Sequence, residues 1–327
     1  MKILYAVQAT GNGHIIRARH HIPMLRKVAE VDILQSGSLS DIDLGFDVKY
    51  KFDGLSFKYD SSGGISYLKT ISNLNIPSLI GDVRNLERNL ELNYDLVISD
   101  FEPISAWASK RKNVLCVGSS HQYSFKSKKV PKPKEKSYFG EFILKELAPA
   151  KIGIGFHYKS YDSFIVEPTI RRELVDVNLT SDGSYVVYLG AYSKEQIYGV
   201  LSKFPQVKFY VFVKGQVKME WKSNVCFLPI GVELFTEKII GCEGVITAGG
   251  FESTSECLYL GKKMLVIPIK GQYEQLCNCA ALERDIDCHI SSDLNVDSVR
   301  ALIDGRVVDR VHFKNDLNYV DKIMSLL

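Results

Sequence analysis

Residues 2–20 read KILYAVQATGNGHIIRARH. A short apolar run, Ile3-Leu4-Tyr5-Ala6-Val7, leads into two glycines spaced two apart. Ile15, Ala18, Ile22, Leu25 and Ala29 then recur at steps of three and four. The run predicts a strand buried on both faces, and the recurrence predicts one face of a helix. Pro23 falls inside that face and predicts a kink. A strand, a glycine turn and a helix together open a βαβ unit. The glycines there let a ligand approach the backbone, and a histidine, His14, stands at the tip of the turn.

The rest of the chain repeats the alternation. Strands are expected at Val31–Gln35, Val48–Phe52, Asp95–Ser99, Val114–Gly118 and Ile152–Phe156, with a helical region at Ser66–Leu92 interrupted at Pro77. The second half offers strands at Tyr185–Leu189, Lys208–Val213, Val225–Leu228, Gly244–Thr247 and Met264–Pro268. Helices are expected near 194–203, 233–240, 252–260 and 273–285. Continuous apolar strands between helices predict parallel sheets covered on both faces. At 327 residues the chain exceeds one ordinary core. The reading is therefore α/β, with two doubly wound Rossmann-like domains facing across a cleft. The first spans 1–164, a linker with Pro168 and Arg171-Arg172 spans 165–178, and the second spans 179–327, its last helix from Asp316 crossing back.

Composition narrows the function classes. Apolar residues make up 46% and charged residues 24%, as in globular proteins, and the net charge of +3 gives no basis for a nucleic-acid partner. Seven cysteines form no CxxC pair; Cys277, Cys279, Cys288 and His289 fit no common zinc spacing, and reduced thiols in a chain of this length point to the cytoplasm. The N-terminal apolar run is too short for a signal peptide, and no run reaches the length of a membrane span.

Ligands of open α/β sheets bind at the carboxyl ends of strands. The residues at those places are Gly11–His14, Asp100, Ser119–Gln122, Gly190, Gly249-Gly250 and Gly271–Gln275. A dinucleotide fingerprint fails at Gly11–Ile16, because Ile16 stands where a third glycine belongs and the next strand ends Leu34-Gln35-Ser36-Gly37 with no acid. A P-loop fails for want of Gly-Lys-Ser/Thr. What remains is G-x-G-H-x-x-R. Two roles stay open for His14 by itself: a neutral general base at a helix N-terminus, or a capping histidine with no chemistry.

Residues 244–284, GVITAGGFESTSECLYLGKKMLVIPIKGQYEQLCNCAALER, contain a glycine turn, Ser255-Glu256 in the next helix, Gly261-Lys262-Lys263 before a strand ending in proline, then Glu274-Gln275 and Asn278. This order resembles the donor-binding region of GT-B glycosyltransferases. These include the enzyme that adds N-acetylglucosamine to lipid I and the plant and antibiotic-modifying UDP-glycosyltransferases. The N-terminal Gly-x-Gly-His is the family's other hallmark.

The resemblance implies an inverting transfer of a hexose-type sugar from a nucleotide sugar, UDP-linked by family habit, to a hydroxyl acceptor. Gly249, Gly250 and the helix from Phe251 would form an amide-lined turn for a diphosphate, with Gly190 adding backbone donors. Glu256 would hold the ribose, and Glu274 and Gln275 the sugar. Glu252 is read as an N-terminal helix charge. His14 would be the base on the acceptor side, beside Gly11 and Gly13. Asp100 would support it, as an aspartate does in the plant enzymes, or else cap the next helix. His121 is a rival base or an acceptor contact, and Arg17 receives no catalytic role. No DxD motif stands out, so no metal and no cofactor is expected.

The run 126–136 holds six lysines and two prolines. It reads either as a solvated loop beside the acceptor or as a peripheral membrane contact at the inner face of the membrane, suited to a lipid-linked or cell-surface glycan precursor. Among alternatives, a nucleotide-sugar hydrolase of the pseudaminic-acid-pathway type shares Gly-x-Gly-His-x-x-Arg; a UDP-sugar 2-epimerase usually has a longer chain. A non-catalytic nucleotide-sugar-binding subunit would not need His14.

Overall fold

Strand β1 (Lys2–Gln8) is buried from Ile3 onward and pairs in parallel with β2 (Glu30–Ser36) and β4 (Leu96–Asp100). Its side chains alternate between two faces, so both faces need cover. Helix α1 (Asn12–Leu25) covers one by turning Ile15, Ala18, Ile22 and Leu25 inward. The apolar pattern continues to Ala29, but the helix stops two residues after Pro23. Pro23 thus lies within the helix's last turn. This computed structural model describes residues 1–37, 40–54, 75–286, 288–313 and 319–327.

The first sheet adds β3 (Tyr50–Phe52), β5 (Cys116–Ser120), β6 (Ile152–Phe156) and β7 (Ile165–Val166), all parallel, in the order β3-β2-β1-β4-β5-β6-β7. Helices α2 (Ile76–Asn93), α3 (Pro103–Lys112) and α4 (Tyr138–Glu146) complete this half. Of the helix expected over 66–92, residues 66–74 lie outside the described set. The segment expected as a linker gives its first two residues to the first sheet as β7.

The second sheet runs β10-β11-β9-β8-β12-β13-β14. Its strands are β8 (Tyr185–Tyr188), β9 (Phe209–Val213), β10 (Glu220–Lys222), β11 (Val225–Pro229), β12 (Gly244–Thr247), β13 (Lys263–Val266) and β14 (His289–Ile290). Only β10 is antiparallel, on β11, and all three of its residues are exposed, which hides it from a search for apolar runs. The helices are α5 (Lys194–Leu201), α6 (Val232–Gly241), α7 (Phe251–Leu260), α8 (Tyr273–Asp285) and α9 (Val296–Asp304). Helix α9 is absent from the expected set although Val296, Val299, Leu302 and Ile303 repeat at helical spacing.

A last helix, α10 (Tyr319–Met324), lies against the first half. The Tyr319 ring stacks on His21 at 3.8 Å, and its hydroxyl lies 3.0 Å from Ser119 Oγ. One apolar cluster runs from Tyr5 and Ile15 through Phe156, Tyr158 and Phe251 to Val245 and Cys257, so the two halves share a core. Among the described residues no helix is long and apolar enough to cross a membrane.

Both sheets reverse their strand order at one point. In the first, β1 and β4 flank it; in the second, β8 and β12 do. The turn at Gly11, residue Asp100, Gly190 and Gly249 all follow or end these four strands.

Close packing of the first sheet depends on Gly153. The Tyr123 ring lies across β5 and β6, where a Cβ on Gly118 would stand 2.7 Å from Tyr123 Cδ2 and one on Gly153 would collide with the ring. Gly153→Ala is expected to cost about 1–3 kcal/mol through overpacking. Urea denaturation checks this, and an unchanged midpoint would show that Tyr123 moves freely.

Candidate active site

Asp100 is free for chemistry because another acid caps the next helix. Glu102 accepts from the Ile104 and Ser105 amides, at 2.9 and 2.6 Å, and so serves as the N-cap of α3. Between the two acids Phe101 adopts a left-handed φ of 55°, unusual for a bulky residue, and its ring stacks over His14 at 6.3 Å. This strained corner aims Asp100 across the sheet toward α1.

There Asp100 Oδ1 lies 2.8 Å from His14 Nδ1. A carboxylate only accepts, so Nδ1 is the donor of this pair. Asp100 is fully buried, whereas His14 retains 12% of its side-chain surface. Gln122 Nε2 lies 3.4 Å from His14 Nε2 and donates to Glu274 Oε2 at 2.9 Å. Nε2 thus lies toward the second half of the chain.

Arg17, read as a helix-surface or phosphate-side residue, is not on the surface. It is 4% exposed. Its guanidinium donates to Asp100 through Nε at 3.0 Å and Nη2 at 2.5 Å, and through Nη1 to Glu252 of α7. Nη2 and His14 Nδ1, 2.9 Å apart, both address Asp100 Oδ1. Burial alone would raise the Asp100 carboxyl, but Arg17 and His14 hold it below its ordinary value. Burial also works against charge on Arg17, yet Asp100 and Glu252 keep it fully protonated. Arg17 therefore favours the ionised form of Asp100.

On the opposite wall, Gly249 takes φ +82° and Gly250 is the N-cap of α7 with no side-chain cap. The left-handed φ and Val266 Cγ1, 3.0 Å from where a Cβ would be, both require glycine at 249. The first amides of α7 are thus left without a side-chain cap. Gly190 is exposed and Gly11 has open space where a Cβ would stand, whereas a Cβ on Gly13 would lie 3.4 Å from Glu252 Oε2. Asn12 Nδ2 donates to the Tyr188 hydroxyl at 3.2 Å, joining the two turns.

The other expected residues divide. Phe251 contributes its amide only, because its ring is buried flat on His121 at 3.9 Å. His121 is 1% exposed and has no free nitrogen: Nδ1 faces Phe156 O and Nε2 faces Asn278 Oδ1, each at 2.7 Å. It therefore cannot serve as a base; burial lowers its affinity for a proton against the pull of Glu274. Asn278 donates to Gly249 O at 3.0 Å, so His121 and Asn278 brace the glycine turn. Ser255 Oγ is buried without a hydrogen-bond partner. Gln275 Oε1 accepts from the Ile269 amide at 2.8 Å, and Lys262 caps three carbonyls, Thr180, Ile240 and Cys242.

Two partners were not foreseen. Arg171 grips Glu256 with Nε at 2.6 Å and Nη2 at 2.9 Å, and donates Nη1 to Thr236 at 2.7 Å. Each Glu256 oxygen keeps one lone pair for a further donor. The Arg171-Arg172 pair was visible in the sequence, but its carboxylate is 85 residues away. Glu252 was seen only as a helix charge.

In the basic run Val130 and Pro131 are buried, and Lys132 pairs with Glu141 at 3.1 Å, so the loop is tucked in at its middle. Lys128, Lys129, Lys134 and Lys136 are exposed beside exposed Tyr138 and Phe142. Among the described residues no three His, Cys, Asp or Glu side chains converge as metal ligands would.

The family model for glycosyl transferase family 1 matches residues 1–305. Compared with curated proteins, the chain matches none. Among solved structures, MurG of Acinetobacter baumannii is 13% identical with a TM-score of 0.57, over 99% of this chain and 98% of that one. Phytolacca americana UGT2, complexed with UDP-2fluoro-glucose and pterostilbene, is 14% identical with a TM-score of 0.61, over 93% and 90%. Arabidopsis thaliana UGT89C1, complexed with UDP, is 15% identical with a TM-score of 0.60, over 92% and 89%. At such identities the likeness is one of fold, and that fold is GT-B.

Proposed function

Because the chain belongs to glycosyl transferase family 1, we propose that it transfers a hexose-type sugar, with inversion, from a uridine diphosphate sugar to an acceptor hydroxyl. The observation that carries this reading is the pairing of His14 Nδ1 with the buried Asp100 carboxylate, in a chain whose helix α7 begins at Gly250 with no side-chain cap. Nε2 removes the acceptor proton as the hydroxyl oxygen attacks the anomeric carbon. The bond to the diphosphate breaks on the far side of that carbon, and its electron pair stays on the leaving oxygen. The α7 amides and helix dipole then face the developing charge. Phe251, Glu252 and Ser253 supply those amides. Glu256, held by Arg171, offers its remaining lone pairs to the ribose, and Glu274, beside Gln122, lies toward the sugar. Uridine is chosen because two of the similar structures hold UDP or a UDP sugar. The mechanism uses no metal.

Calorimetry against UDP, GDP and dTDP and their sugars, with free nucleotide followed in the same samples, tests the reading. Binding of one nucleotide sugar with slow turnover is the expected result. Fast release of free sugar and nucleotide without an acceptor would make water the nucleophile and the protein a hydrolase. Failure of every nucleotide to bind would remove the donor site.

A further inference from the structure

Glu252 occupies the space that a diphosphate at α7 must enter. It is the second residue of that helix, beyond an N-cap with no side chain of its own. Its Oε2 lies 3.4 Å from where a Cβ on Gly13 would stand, so its carboxyl fills the gap between the two glycine turns. Its hydrogen-bonding partner there is Nη1 of Arg17. The other arm of that guanidinium, Nε and Nη2, is fixed on Asp100. A diphosphate bringing two or more negative charges against an ionised Glu252 would meet electrostatic repulsion. Proton uptake by the carboxyl removes that repulsion and frees Arg17 Nη1 without moving its Asp100 contacts.

We propose that Glu252 is a proton-coupled gate of the donor site: it binds a proton as the nucleoside diphosphate enters and passes Arg17 Nη1 to a phosphate oxygen. The inference rests on the donor site proposed above. The groups facing Glu252 are His14 and Arg17 on α1, Asp100 on β4, Glu274 on α8, Tyr5 on β1 and Tyr158 after β6. Burial, against the pull of Arg17 and His14 and with the charges of Asp100 and Glu274 added, pushes its carboxyl up to about 7. The proton is therefore available near neutrality. The gate predicts a loss of affinity for the diphosphate as pH rises.

The test titrates the full-length protein with UDP, GDP and dTDP at pH 7.5 and 8.5, in two buffers of different ionisation enthalpy. The free nucleotide phosphate, with a second pKa of about 6, is already ionised there. Wild type is expected to take up close to one proton per nucleotide at pH 8.5. Its affinity should fall about eight-fold between the two pH values, as follows from a group titrating at about 7. Glu252→Gln keeps the shape of the carboxyl and should bind with no proton uptake and equal affinity at both pH values. Nucleotide binding by wild type without proton uptake would overturn the gate and leave the donor site standing, as would equal uptake in Glu252→Gln. Binding of none of the three nucleotides would overturn the donor site itself.

Discussion

Replacing His14 with alanine is expected to lower donor turnover by about 10²- to 10⁴-fold, the usual worth of a positioned general base, while nucleotide affinity stays within about two-fold. The two readouts separate because, in the proposed mechanism, His14 serves the acceptor, and its Nε2 lies 3.4 Å from Gln122. Stability should change little, since the ring is partly exposed and Asp100 keeps Arg17 as a partner. Asp100→Asn should lose most of the same rate by a different route. The amide can no longer fix the proton on Nδ1 or balance an imidazolium. Steady-state release of nucleotide in the presence of acceptor measures both. Full activity in His14→Ala, with donor still bound, would end the base assignment.

Arg17→Ala should be the most damaging substitution to stability, at about 3–5 kcal/mol, because it leaves a fully buried carboxylate without its counter-charge. Arg17→Lys should recover little: Asp100 is held by two donors of one planar group, and an ammonium presents a single point. The pH dependence gives a second check. Since the folded Asp100 carboxyl lies below its ordinary value of about 4, its contribution is full above that value and is lost as pH falls through the folded value. Wild type should therefore lose stability on acidification faster than Arg17→Ala. Urea unfolding from pH 7 to pH 3 measures both, and a loss below about 1 kcal/mol at pH 7 would show that Asp100 finds water or a proton when Arg17 is gone.

Much of the fold was legible because its signals are local. β1, β6, β12 and α8 begin and end where the apolar runs, turn glycines and caps place them. Short or polar elements such as β7, β10 and β14 escape, since a strand of two or three residues shows no period. The site divides in the same way. His14 and the Gly249-Gly250 turn announce themselves by what surrounds them in the chain. The role of Asp100 does not: as a residue before α3 it could also cap that helix, and only the structure shows Glu102 taking the cap while Asp100 meets His14.

Side-chain periodicity and turn chemistry act over a few residues, so the alternation of strands and helices, the two glycine turns and the family can be read from the chain alone. The tertiary structure alone decided the charges. Arg17 meets an aspartate 83 residues away and a glutamate 235 residues away, and Arg171 meets Glu256 across 85. Nothing in the neighbourhood of an arginine specifies which distant carboxylate it will face. That choice follows from the packing of the two halves against each other, and only burial makes a pairing strong enough to govern a proton.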